Sequence, residues 1–326
     1  MRFETEKKNL LNGWMQLNKI IYNKNSLDFS PETEFLDKKL IPHMETPYRL
    51  KAILKEVGEV IPGDGILLDP KEVHSKEMVE RIKSSVNYTQ EVLFNMDTKD
   101  QFCTDTYTPF NKDLMTTLNA SNKTISRSIQ EYLSGSNVYA LTRPPGHHSG
   151  INTFGGYCYF NFIAMAANKL SKNGKVAILD LDFHHGNGTE EIFYTRADVL
   201  TLSIHGDPDN NFPNSGYEDD CGRENGLGFN QNYIVSEDVN IKEYIKVLKK
   251  AINKINKYDP DYILIAFGTD TFKDDPIAGF NLGIKDYSMI GKELKNLKKD
   301  LLIVQEGGYD VDNIGKIVKT FLKSLK

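Results

Sequence analysis

Short, almost uninterrupted apolar runs, spaced by amphipathic stretches, constrain this chain more than any other feature. The clearest are VYAL at 138–141, VAIL at 176–179, VLTL at 199–202, YILI at 262–265 and LLIV at 301–304. A strand with one wet face alternates apolar and polar side chains. A run with no polar face must be covered on both sides, as in a parallel sheet between helices. The intervening segments fit that demand: Ile241–Tyr258 (IKEYIKVLKKAINKINKY) and 287–297 carry apolar residues at helical spacing. Strand and helix alternating in this way predict a doubly wound α/β fold.

Upstream, the first 130 residues read as more helical and more polar. Residues 47–57 and 75–94 are expected helices, 65–68 a short strand and 99–112 surface loops, while nothing before Pro47 gives a readable pattern. No linker, low-complexity tract or repeat interrupts the chain, so 1–326 is read as a single domain.

Charge and composition exclude several classes. A net charge of -5 over 326 residues argues against a nucleic-acid binder, which needs a basic excess. No stretch reaches the roughly 18 consecutive apolar residues of a membrane span. The N-terminus, MRFETEKK, is charged with no apolar signal core behind it. Cys103, Cys158 and Cys221 are odd in number and widely spaced, which suits packed or loop thiols in a reduced cytoplasmic protein.

The polar residues are not scattered. Of seven histidines, five fall between His147 and His205, four of them in the pairs His147-His148 and His184-His185. Each pair follows an expected buried strand, as do Asp270 and Tyr309. In open parallel sheets, ligands bind beyond the carboxyl ends of the strands, so four strand ends deliver His, Asp/His, Asp and Tyr to one rim. Residues two apart share a side there, which aligns Asp180, Asp182 and His184. With Asp270 from another strand, Asp182 and His184 make a three-ligand metal site that leaves a coordination position open, the catalytic arrangement for zinc. Its oxygen-rich donor set also accepts Fe2+ or Co2+. A single Asp-x-His would more often be a hydrogen-bonded strand end; the convergence of His147, His148, Asp270 and Tyr309 overrides that reading.

RPPGHHSG, FGGYCYFN, DLDFHHGNGTEEIFY, SIHGDP, GTDTFKDDP and QEGGY, in this order, resemble the histone deacetylase superfamily on an arginase-like fold, closest to its bacterial acetylpolyamine amidohydrolases. The resemblance implies a three-layer, doubly wound, mostly parallel eight-stranded sheet. It implies zinc on Asp182, His184 and Asp270, with His148 as general base and acid. His147 becomes its electrostatic partner, oriented by Asp180, and Asn187 the partner of His148. That amide raises basicity less than a carboxylate, so His148 is expected to rest neutral. Tyr309 becomes the phenol that steadies the carbonyl oxygen, with mobility from Gly307 and Gly308. By the same resemblance, Asp180 and Ser203, with main-chain carbonyls of Asp182, His184 and Ile204, hold a structural potassium ion. Tyr157 and Phe212, beside Gly156 and Gly308, wall a narrow acyl-amine tunnel, and Arg49 matches an inner-channel arginine. His185 and His205 are expected to be structural. A two-manganese centre is not expected, because Gly186 and Phe272 stand where its extra acidic ligands would fall.

Two departures bear on function. The insertion that helps those amidohydrolases dimerise and narrows their entrance is short here, at about 94–110, although Asp97, Asp100 and Asp105 keep it acidic. That loosens the link to a homodimer and to polyamine selectivity. Phe162 replaces a polar residue, with an expected effect on packing alone. The leading expectation is a zinc-dependent deacetylase acting on a small cationic acylated amine, acetylpolyamine above all. An acetyl-lysine protein deacetylase is the alternative. A catalytically dead acyl-amine binding module is disfavoured, because every ligand, base and phenol position is kept.

Overall fold

The computed structural model describes residues 18–36, 39–93 and 100–326. Among these, the strands are β1 (Lys19–Tyr22), β2 (Thr33–Leu36), β3 (Lys39–Pro42), β4 (Ile61–Pro62), β5 (Val138–Ala140), β6 (Val176–Asp180), β7 (Val199–His205), β8 (Asn230–Ile234), β9 (Tyr262–Phe267) and β10 (Leu302–Gln305). The α-helices are α1 (Tyr48–Val57), α2 (Lys76–Lys83), α3 (Leu114–Leu133), α4 (Phe162–Ser171), α5 (Asn187–Phe193), α6 (Ile241–Tyr258), α7 (Tyr287–Leu294) and α8 (Ile314–Ser324).

Eight strands form one parallel sheet in the order β4-β1-β5-β10-β9-β6-β7-β8, and β2 and β3 pair separately as an antiparallel hairpin. Along each central strand, side chains alternate between two cores. Ala177, Leu179, Ile263, Ile265 and Ile303 pack with α1, α6, α7 and α8 on one face. Val176, Ile178, Leu264, Ala266, Leu302 and Val304 pack with α2 to α5 on the other. Both faces are dry, which is why the runs show no polar alternation. Sheet and two helical layers make the three-layer fold.

Helix α6 shows how local chemistry sets an element. Asn240 caps it, accepting from the Lys242 and Glu243 N–H groups while Glu243 reaches back, and Asp259 closes it in the left-handed region. Elsewhere the structure corrects the expectations. Residues 75–94 do not form one helix: α2 ends at Lys83 and a single 3-10 turn follows. Ser84 Oγ donates to Arg81 O at 2.6 Å, competing with the helical ladder. Residues 65–68 are not a strand. Asn122 of α3 takes the Leu68 N–H (2.8 Å) and donates to its carbonyl (2.9 Å), so a side chain replaces a sheet partner. The strand at that edge of the sheet is β4, and β8 forms the other edge. Within 99–112, Phe102 and Phe110 enter the core and Cys103 bridges to Phe154, so the segment is not a surface loop. Residues 18–36 and 39–46, which carry no readable pattern in the sequence, supply β1 inside the main sheet and the paired strands β2 and β3. Phe162 is fully buried at the start of α4. Among the described residues, no helix is long and apolar enough to cross a membrane.

Candidate active site

The four motif-bearing loops follow β5, β6, β9 and β10, and these strands are consecutive in the sheet as β5-β10-β9-β6. Their carboxyl ends therefore open onto one place.

At its floor, one donor atom each from Asp182, His184 and Asp270 lie within 4.8 Å of one another. His184 Nδ1 is 3.3 Å from Asp182 Oδ1 and 3.2 Å from Asp270 Oδ2. Main-chain donors fix both carboxylates: Gly307 N–H to Asp182 Oδ2 (2.8 Å), His184 N–H to Asp182 Oδ1 (3.0 Å) and Phe183 N–H to Asp270 Oδ1 (3.0 Å). A Cβ on Gly268 or Gly307 would run into these carboxylate oxygens, so both positions need glycine for close approach. Burial, then the neighbouring charge of Asp182, pushes the Asp270 carboxyl upward. Burial works the same way on Asp182, but the charges of His147 and His184 outweigh it and hold that carboxyl below the usual range. Two buried carboxylates pressed together around an imidazole are what a divalent cation would neutralise. The two-oxygen, one-nitrogen donor set fits zinc, and Fe2+ or Co2+ as well.

The histidine pair stands beside this cluster with ring centroids 4.0 Å apart. His147 Nδ1 meets Asp180 Oδ2 at 2.9 Å, and its Nε2 lies 3.7 Å from Asp182 Oδ1. Burial disfavours charge on His147, yet Asp182 and Asp180 prevail and bring it up to about 10. His148 behaves oppositely: burial, then the charges of His147 and His184, hold it well below the ordinary imidazole value. Its Nδ1 lies 2.8 Å from Asn187 Oδ1. That oxygen only accepts, so Nδ1 carries the proton and Nε2 keeps a free lone pair.

Tyr309, after β10, is buried with its ring 5.5 Å from that of Tyr157 and 4.7 Å from the Arg49 guanidinium. Burial keeps its hydroxyl protonated well above the ordinary phenol range, against the opposing charge of Arg49. Arg49 also donates to the Gly308 carbonyl (2.6 Å) and the Glu306 carbonyl (2.5 Å), while Glu45 pairs with both Arg49 and Arg143 at 2.8 Å. Asp180 and Ser203 are register partners on β6 and β7, and Ile204 is the next residue of β7. They do not bond each other: Asp180 serves His147 and the Asp182 N–H, and Ser203 Oγ meets His205 Nδ1 at 2.8 Å. His185 bridges Ser215 and Glu190, and His205 also reaches the Gly216 carbonyl.

Above this floor is a pocket of about 300 Å³ lined by His148, Gly156, Tyr157, His184, Phe212 and Tyr309, with Glu34, Tyr107 and Ile277 among the rest. Gly156 sits at φ +58°, and a Cβ there would meet His148 at 2.5 Å and Phe212 at 2.7 Å. Gly308 is not on the lining. The acidity of the entrance also has a different source from the one expected. Asp105 spends its carboxylate on the Gly156 and Tyr107 N–H groups and the Thr108 hydroxyl. Asp100 pairs with Arg81 at 2.7 Å, and Asp97 lies outside the described residues. The carboxylate on the wall is Glu34, from the hairpin. It accepts from the Tyr157 hydroxyl at 3.0 Å and the Met44 N–H at 3.2 Å, and burial pushes it upward against those bonds. Sequence reasoning missed Glu34 and Tyr107, because neither sits in a motif and only the packing of the hairpin brings Glu34 to Tyr157.

Residues 43–325 match the histone deacetylase domain. Acetylpolyamine amidohydrolase 2 of Pseudomonas aeruginosa is 46% identical over 181 residues, covering 55% of this chain and 53% of that protein. The acetylpolyamine amidohydrolase of Mycoplana ramosa is 42% identical over 191 residues, covering 58% and 56%. The chain spans about half the length of the curated relatives it matches. An acetylpolyamine aminohydrolase from Burkholderia pseudomallei, known from a crystal structure, superposes with a TM-score of 0.89 at 26% identity, covering 94% of this chain and 98% of that one. With its motif-bearing loops on four adjacent strands and a domain match from 43 to 325, this chain belongs to the histone deacetylase domain family.

Proposed function

We propose that this protein is an amidohydrolase that removes the acetyl or another short acyl group from a small cationic amine, with acetylpolyamines as its substrate class. One observation carries the reading: a three-donor cluster, a closely packed pair of buried histidines and a buried phenol meet at the foot of one pocket whose wall holds a carboxylate. Asp182, His184 and Asp270 would hold zinc, which supplies Lewis-acid activation of the amide carbonyl and of water. Potassium at Asp180, Ser203 and nearby main-chain carbonyls would be structural.

The chain's own residues do the rest. His148 Nε2, the free lone pair of a neutral imidazole, takes the proton of the attacking water and later returns it to the leaving nitrogen as the C–N bond breaks. His147, charged and clamped by Asp180, keeps His148 neutral at rest. The Tyr309 hydroxyl donates to the carbonyl oxygen as negative charge develops. Tyr157 and Phe212 enclose the methylene stem, and Glu34 faces the free ammonium of the amine. Acetate and the amine leave.

The test is kcat/KM of zinc-reconstituted protein on acetylputrescine, acetylcadaverine, acetylspermidine and an acetyl-lysine peptide. Strong preference for the small amines is expected; equal or better turnover of the peptide would overturn the substrate class in favour of protein deacetylation. Glu34→Gln adds a sharper check. Losing a charge-assisted contact of ~1.5–3 kcal/mol lowers kcat/KM on acetylputrescine by about 10- to 150-fold. Neutral N-butylacetamide should change by less than about twofold.

A further inference from the structure

Tyr309 follows two glycines, and Gly308 adopts φ +111°. Asp182 and Arg49 hold the turn as far as the Gly308 carbonyl, which leaves the main chain of Tyr309 itself to be fixed. Oxyanion stabilisation needs a donor at about 2.7–3.1 Å, and a misplacement of about 1 Å can cost ~10²-fold in rate. Something outside the Gly307-Gly308 turn has to set that position.

Asp275, in the loop after β9, is placed to do so. Its Oδ2 accepts the Tyr309 N–H at 2.7 Å and the Asp310 N–H at 3.3 Å. Its Oδ1 accepts the Ile277 N–H at 3.0 Å, and its own N–H donates to the Phe272 carbonyl at 3.0 Å. Pro276 and Ile277 line the pocket. On the other side, the Asp310 carbonyl accepts the Ile314 N–H at 2.9 Å in the first turn of α8. One carboxylate thus ties three elements together: the pocket rim, the main chain of Tyr309 and the start of a core helix. Asp275 is not among the metal-donor cluster and does not line the pocket.

We propose that Asp275 is a positioning residue that fixes the Tyr309 hydroxyl over the scissile carbonyl and couples the pocket rim to it. This rests on the role of Tyr309 given above. Removing the carboxylate frees the Tyr309 and Asp310 N–H groups, the stretch just past the part of the turn that Asp182 and Arg49 hold. Substrate would still bind, but the transition state would lose its donor.

The test is a double-mutant cycle on the zinc-loaded 326-residue protein with acetylputrescine. Asp275→Ala is expected to lower kcat by about 10- to 100-fold, on the scale of a misplaced catalytic group, with KM within about twofold and zinc content unchanged. Asp275→Asn, which keeps one accepting oxygen, should fall between Asp275→Ala and wild type, and stands in if Asp275→Ala does not fold. In a Tyr309→Phe background, either change should cost less than about twofold, because there is no hydroxyl left to position. A general structural role would slow both backgrounds alike and would overturn the assignment, as would unchanged kcat or loss of zinc. If Tyr309→Phe itself is fully active, the reading of Tyr309 fails and this one with it. If Tyr309→Phe is impaired but Asp275→Ala and Asp275→Asn match wild type, only the Asp275 assignment fails.

Discussion

Tyr309→Phe should retain zinc and fold normally while losing about 10²–10³ or more in kcat, the scale of a deleted oxyanion donor. The substitution removes one oxygen and leaves the ring. The contacts of that ring with Tyr157, at 5.5 Å between centroids, and with the Arg49 guanidinium, at 4.7 Å, are kept. Stability is therefore expected to change little, and the rate isolates the hydroxyl. Burial holds the phenol protonated well above its ordinary range, so raising the pH should not turn the wild-type donor off before other groups titrate. The measurements are kcat, KM and zinc stoichiometry on the same preparation. A fully active variant would mean that the carbonyl oxygen is steadied by another group.

Asp270→Ala should act by a different route and abolish metal binding. It removes one of three donors and leaves Asp182 and His184, a pair 3.3 Å apart, to hold the ion alone. Bound zinc is expected to fall from about one per chain to a small fraction at equal free metal, with activity at background. A thermal readout separates this from misfolding. A ligand that binds only the folded state stabilises it by about 4 kcal/mol at a thousandfold excess over Kd. Added zinc should therefore raise the wild-type Tm and leave that of the variant unmoved. In the metal-free protein the sign reverses: Asp270 is pushed upward by burial and by Asp182, so Asp270→Asn should relieve that repulsion and not lower Tm. Full zinc occupancy in Asp270→Ala would remove Asp270 from the ligand set.

How far each feature could be read from the chain follows from where its physical determinants lie. The five central strands were legible because both of their faces are dry, and a continuous run of β-branched residues has few other solutions. Helix α6 was legible because its apolar residues recur at helical spacing, and the structure adds a local capping box and left-handed stop at its ends. Strand β8 (NQNYI) was not. Asn230 and Asn232 turn to Glu190 at 2.6 and 2.8 Å, and a strand buried through side-chain hydrogen bonds carries no apolar signature. The 65–68 segment misled for the converse reason: GILL looks like a strand, yet Ile66 and Leu67 are exposed and Leu68 is bonded to an asparagine side chain.

The site divides along the same line. The chain by itself determined which residue types stand at the strand ends, because Asp-x-His after a buried strand puts two donors on one side whatever surrounds them. That Asn187 stands beside His148 was an expectation from resemblance, and the fold places its amide oxygen 2.8 Å from Nδ1. What only the tertiary structure decided is adjacency. Among the described residues, β5, β6, β9 and β10 are not all consecutive along the chain yet lie side by side as β5-β10-β9-β6, and that order lets Asp182, Asp270, His147 and Tyr309 converge. Glu34 reaches Tyr157 across 123 residues of sequence, and Asp275 reaches Tyr309 across 34, through contacts that no local propensity encodes. Such pairings are settled by the packing of whole layers, because each joins segments that no local propensity brings together.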